Sequence, residues 1–208
     1  MIAEKERYEH INLFADMETQ GNYDIPVIKP VSIDEYPEFI GFNYAMSEKH
    51  PQDKGVHFFV DDYQFTRLWN DPGKYLPLIK KFKCVFTPDF SLYTDYPNAL
   101  QIYNHWRKHV LGAYWQSEGI TVIPTIAWSG INSFRYCFDG EPVGGCVAVS
   151  SVGTQNNRTA KKLFLQGYEE MMKRLEPSTV VFMGKVPKEC EGNIVHINTF
   201  SDKFRRAE

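Results

Sequence analysis

Val56 to Asp62 reads Val-His-Phe-Phe-Val-Asp-Asp, a nearly continuous apolar run that ends in two carboxylates. A strand that alternates apolar and polar residues can lie with one face in water. A strand apolar throughout needs cover on both faces, which is the condition of a parallel strand between crossover helices. The next two dozen residues agree with that reading: Phe65, Leu68 and Trp69 have helical spacing until Pro72-Gly73 breaks it, and a second helical piece spans Tyr75 to Lys81.

Outward from this stretch the same beat recurs. Lys83 to Phe86 is the next strand, and a long helix from about Pro97 to Gln116 carries proline at its first position and Gly119 at its exit. Ile120 to Ala127 is a strand in which Pro124 predicts an irregularity, and Ser133 to Phe138 reads as a short helix. Gly144 to Ser150 is a buried strand; Asn156 or Asn157 then caps an amphipathic helix bearing Phe164, Tyr168, Met171 and Leu175, which Pro177 stops. Thr179 to Met183 and Asn193 to Ile197 complete the series, and upstream Val27–Val31 and Phe39–Tyr44 are rich in β-branched and aromatic residues. Eight such strands imply an α/β fold of repeating βα units. An abbreviated or irregular (βα) barrel is preferred, because a full eight-unit barrel usually needs a longer chain, and an open doubly wound parallel sheet is the alternative.

The 208 residues suit one domain, expected over 25–208, with residues 1–24 as an N-terminal arm that is helical or loosely attached. A formal net charge of -3 argues against bulk electrostatic attraction to nucleic acid or membrane. Its distribution is uneven: residues 1–62 carry 13 acidic and 5 basic side chains, the remainder 13 acidic and 18 basic. Ordinary solvated faces outweigh an acidic contact surface as the reading of that asymmetry. The four cysteines are scattered without a CxxC pair, unlike a disulfide framework or a zinc site, and no leader or long apolar run is present, so a reducing cytoplasm is expected.

In either architecture functional groups gather where parallel strands end. Those ends offer Asp61 and Asp62; Thr87, Asp89 and Ser91; Thr125 and Trp128; Ser150, Ser151 and Thr154; and Lys185. Asp61, Asp62 and Asp89, with Asp95 nearby, form a carboxylate set able to hold a divalent metal such as magnesium or to act as acid and base, although Asp at a strand end is also a capping residue, and that role outweighs the other. Ser150 to Thr154, between strand and helix, suits a phosphate, and equally a polar capping loop; it has neither P-loop nor dinucleotide glycines.

His105 and His109, four apart on a helix, share a face as metal ligands do. The intervening Trp-Arg-Lys lacks the glutamate of a zinc-protease helix, and an ordinary half-buried helix face is the better account. Trp128 with Phe90, Tyr93 and Tyr96 could stack on a base or sugar, though packing explains them as well. The tail Lys203-Phe204-Arg205-Arg206 reads as a solvated terminus.

Five stretches, HFFVDDYQF (57–65), FTPDFSLYTDYP (86–97), VIPTIAWSG (122–130), FDGEP (138–142) and VAVSSVGT (147–154), together resemble a family of uncharacterised proteins, a domain of unknown function met in Gram-positive bacteria, their phages and integrative elements. The resemblance covers roughly residues 26–200 and implies a mobile-element context and a cytoplasmic setting, with no reaction attached. Two functions are therefore expected side by side. One is an enzyme, or degenerate enzyme, acting on a small phosphorylated or nucleotide-like ligand at the strand-end rim, with Lys185 adding charge. The other is a non-catalytic accessory protein whose acidic first segment binds a host protein or a nucleic acid.

Overall fold

The computed structural model describes residues 10–14, 16–155 and 157–197. The basic tail and residues 1–9 of the arm lie outside them. A four-residue helix α1 (Ile11–Phe14) and a hairpin of β1 (Thr19–Gln20) with β2 (Ile25–Pro26) open the described chain. This segment is packed on the body: His10 meets Trp69 edge-on at 4.7 Å, Phe14 meets Trp106 at 5.0 Å, and Gln20 accepts the Gly140 N–H at 2.8 Å.

Seven parallel strands come next. β3 (Glu38–Gly41), β4 (Lys54–His57), β5 (Cys84–Phe86) and β6 (Val122–Ile123) pair in that order, as do β7 (Cys146–Ser150), β8 (Thr179–Met183) and β9 (Ile194–Ile197). A parallel bridge between Thr125 and Ala148 joins the two sheets. Each strand therefore lies beside its predecessor in sequence, and among the described strands the order never reverses.

Burial on both faces is visible residue by residue. In β8, Val181 and Met183 enter one hydrophobic cluster, with Phe86, Leu111 and Trp115, while Val180 and Phe182 enter a second, with Phe164, Tyr168 and Met171. β7 divides the same way, Cys146 and Ala148 to the first and Val147 and Val149 to the second. That is the pleat of a covered strand, and each fully buried side chain of this size contributes about 1.5–3 kcal/mol. All four cysteines are buried free thiols.

The expected strand Val27–Val31 is not one. Pro26 and Pro30 remove donors at both ends, and the stretch is held by single bonds instead: Ile28 N–H donates to Gly140 O at 2.9 Å and Val31 O accepts from Cys146 N–H at 2.8 Å. Pro124 does mark the irregularity expected of it. Beyond β6 the chain leaves β5 for β7, with Ala148 N–H donating to Pro124 O at 2.8 Å and Ile126 N–H to Ala148 O at 2.8 Å.

Between β4 and β5 lie α2 (Thr66–Asn70) and α3 (Pro72–Ile79); α3 begins at the proline itself, with the Asp71 side chain accepting the Lys74 N–H. The stretch expected as a short helix from Ser133 is a 3-10 helix, Ile131–Arg135. The two long helices are α4 (Asn98–Ser117), with Gly119 beyond its end at φ 79, and α5 (Arg158–Leu175), capped by Asn157. Among the described residues no helix is long and apolar enough to cross a membrane.

Candidate functional site

The segments leaving β4, β5, β6 and β7 enclose a cavity of about 520 Å³ at the carboxyl ends of the strands, closed on one side by Ala160, Leu163 and Phe164 of α5. This is the volume of a small-ligand site. Six of the twelve rim residues expected from the sequence line it: Asp61, Asp89, Ser91, Trp128, Ser150 and Thr154. Phe59 and Tyr93 join Trp128 as aromatic walls. Among the described residues the lining contains two carboxylates and no Lys, Arg or His.

The other six are placed elsewhere. Asp62 is taken up by Ser91, which donates to it from both backbone N–H and hydroxyl. Thr87 and Thr125 are buried and bonded to each other, Thr125 N–H to Thr87 Oγ1 at 2.8 Å and Thr125 Oγ1 to Thr87 O at 3.0 Å. Ser151 is buried and donates its hydroxyl to Lys185 O at 2.7 Å. Asp95 and Lys185 are exposed and outside the lining.

The 150–154 loop spends most of its polar groups on its own shape. Ser150 Oγ accepts the Val152 N–H at 3.2 Å and Thr154 Oγ1 donates to Ser151 O at 2.8 Å. The first turn of α5 is likewise satisfied, since Asn157 Oδ1 accepts from Thr159 and Ala160 N–H groups. The loop's hydroxyls are thus engaged within the loop and with Lys185 O, while Ser150 and Thr154 also line the cavity.

Asp61, just before a 3-10 turn, makes no capping bond and is exposed. Asp89 differs sharply. Burial pushes its carboxyl up to about 7, with Asp62 adding to the shift and the Lys108 ammonium opposing it. A carboxyl group that exchanges its proton near neutrality is suited to general acid–base work. Among the described residues the rim carboxylates do not come together as a three-ligand metal set.

A second constellation lies beneath, on α4. His105, Lys108 and His109 are buried and meet Glu141, which is also buried. Lys108 Nζ donates to Glu141 Oε1 and, at 2.8 Å, to Thr125 O; His109 Nε2 is 3.0 Å from Glu141 Oε1. Burial holds His105 well below the ordinary imidazole value and lowers His109, where Glu141 opposes the shift. Burial also pushes Glu141 up, but Lys108 and His109 outweigh it and leave the carboxyl below its ordinary value. The two histidines are thus fully buried, where a half-buried face was expected. Lys108 and Glu141 escaped the sequence reading; the signal was a long helix whose inward positions, Gln101, Asn104, His105, Lys108 and His109, recur at helical spacing although none is apolar.

Comparison with known proteins places the chain. The family model described as a domain of unknown function, DUF4417, matches residues 17–201. The chain belongs to the DUF4417 family. The Gene 1 protein of Mycobacterium phage L5 is 36% identical over 188 residues, covering 89% of this chain and 81% of the phage protein. The Gene 1 protein of Mycobacterium phage D29 is 34% identical over 205 residues, covering 96% and 76%. No solved structure matches. DUF4417 is thus an uncharacterised family found in phages, as the resemblance of the five motifs implies.

Proposed function

We propose that this DUF4417 protein is a host-cytoplasmic enzyme that takes a small nucleotide-like ligand into the strand-end cavity and acts on it by acid–base chemistry at Asp89. One observation carries the reading: a carboxyl group with its proton affinity near neutral pH stands in the wall of a ligand-sized cavity that Trp128 also lines. The aromatic and apolar lining favours gripping the ligand by its flat, neutral part. With no cation on the described walls, a phosphate is best accommodated through magnesium shared between the ligand and Asp61 or Asp89, the usual way that ion is held. The unreversed strand order supports an abbreviated barrel over a doubly wound sheet, whose order reverses at its binding crevice.

The test is a thermal-shift screen of nucleosides, nucleotides and sugar phosphates, each with and without magnesium. A nucleotide shift that needs magnesium and is lost in Asp89→Asn is expected. No shift with any compound sinks the proposal. It would favour the second reading, a non-catalytic accessory protein that binds a host protein or nucleic acid, for which the exposed Tyr63, Tyr93 and Val152 offer contact surface.

A further inference from the structure

The α4 cluster contains more lone pairs than its hydrogens satisfy. His105 Nε2 lies 3.0 Å from Asp139 O. A carbonyl only accepts, so Nε2 carries the proton and Nδ1 is left as a bare lone pair; it is buried and has no hydrogen-bond partner. His109 repeats the arrangement with its other nitrogen, since Nδ1 lies 2.7 Å from Pro26 O and must donate. In the neutral ring Nε2 then presents a lone pair to Glu141 Oε1, another acceptor, at 3.0 Å. Glu141 Oε2 is buried without a partner as well.

We propose that His105 Nδ1, His109 Nε2 and the Glu141 carboxylate bind a transition-metal dication, zinc by preference, in a buried three-ligand site between α4 and the turn at 139–141, with the fourth position left to a water molecule. One ligand atom from each residue lies within 4.8 Å of the others. Ligands about 2.0–2.1 Å from one zinc are roughly 3.3 Å apart in a tetrahedral site, close to the His109–Glu141 separation. A proton shared between His109 and Glu141 would relieve that one contact and leave His105 Nδ1 and Glu141 Oε2 unsatisfied; a metal ion satisfies all three residues.

The surroundings are those of metal ligands. Each imidazole donates its other N–H to a main-chain carbonyl, and the carboxylate accepts from Lys108, so ring orientation and tautomer are set in advance. Two imidazoles and one carboxylate select zinc and its neighbours over magnesium or calcium. His105, His109 and Glu141 are 1%, 0% and 5% exposed, so the ion would load as the chain folds and tie α4 to the hairpin through Pro26 and to the 139–141 turn.

The test uses the full chain, purified after growth with added zinc and compared with Glu141→Gln. Glutamine keeps the side chain's shape and, with its amide oxygen in the Oε1 place, still accepts from Lys108, while losing the carboxylate charge. Wild-type protein should retain one equivalent of zinc and lose thermal stability on chelation. Cobalt added to the chelated protein should give the visible bands of a tetrahedral site, and Glu141→Gln should bind about 100-fold or more weakly. If Glu141→Gln does not fold, His105→Asn supplies the same comparison. Wild-type protein that binds no more zinc or cobalt than the folded variant, and melts alike with and without chelator, overturns the proposal.

Discussion

Ser91 reaches Asp62 twice, its N–H at 3.1 Å from one carboxylate oxygen and its hydroxyl at 2.8 Å from the other. Asp62 thereby joins the segment after β4 to the segment after β5, both of which wall the cavity, and Asn104 of α4 extends the link by donating to Ser91 O at 2.7 Å. Asp62 is a strap, and the neighbouring Asp61 is the one that faces the cavity. Asp62→Ala should cost about 1–3 kcal/mol in urea denaturation, because two part-buried donors lose a charged acceptor, while Asp62→Asn, which keeps one acceptor oxygen, should cost less. An Asp62→Ala protein of unchanged stability would show that the strap holds nothing.

The paired threonines make a parallel case at the seam of the two sheets. Pro124 offers no N–H, and the next donor, Thr125 N–H, turns to the Thr87 hydroxyl while the Thr125 hydroxyl turns to the Thr87 carbonyl. Thr125→Val keeps the shape and removes the second bond, leaving a buried carbonyl short of a partner. A loss of about 1–3 kcal/mol is expected in the unfolding midpoint, with the cavity's ligand preference unchanged. Altered ligand preference at normal stability would return Thr125 to the binding residues.

How far the molecule could be read from its letters depends on what each rule counts. β8 was legible because five residues in a row with almost no polar break demand cover on both faces, and its alternating partners supply it. Val27–Val31 had a similar composition and failed, since propensity does not weigh two prolines against the hydrogen bonds of a ladder. Strand ends are set by topology, so Asp61, Asp89 and Trp128 could be placed on the rim; whether a hydroxyl there faces a ligand or its own loop, as with Thr154, depends on local turn geometry that spacing does not encode. Glu141 meets Lys108 across 33 residues and His109 across 32, and periodicity that scores only apolar positions passes over a polar stripe such as theirs.

Asp89 should write its environment into the pH dependence of stability. Its carboxyl titrates at 3.8 when free and at about 7 in the fold. Below the lower value the group is protonated in both states. Between the two, the folded state holds more protons than the unfolded one, so stability falls as pH rises; above about 7 the loss is complete. The full shift corresponds to up to about 4 kcal/mol, and less in a side chain that keeps some solvent contact. Asp89→Asn should flatten this window and leave the protein more stable than wild type on its alkaline side, as followed by denaturant midpoints across the range. A wild-type profile already flat there would mean the carboxyl is ordinary and unsuited to the acid–base role.

Gly167 decides how Trp128 stands in the cavity wall. A Cβ built on this glycine would lie 2.1 Å from the indole Nε1 and 2.2 Å from Cε2, so the ring rests directly on the backbone of α5. Two effects compete in Gly167→Ala. Helix propensity favours alanine by about 1 kcal/mol at an interior position. Against it, the methyl group must push aside a large ring that is packed against Phe164 at a centroid distance of 5.4 Å, an overpacking cost of about 1–3 kcal/mol. The clash should win, lowering stability modestly while changing the tryptophan fluorescence and weakening any ligand that stacks on Trp128. A Gly167→Ala protein that is more stable than wild type, with unchanged fluorescence, would show that the indole moves aside freely and that the wall at Trp128 is soft.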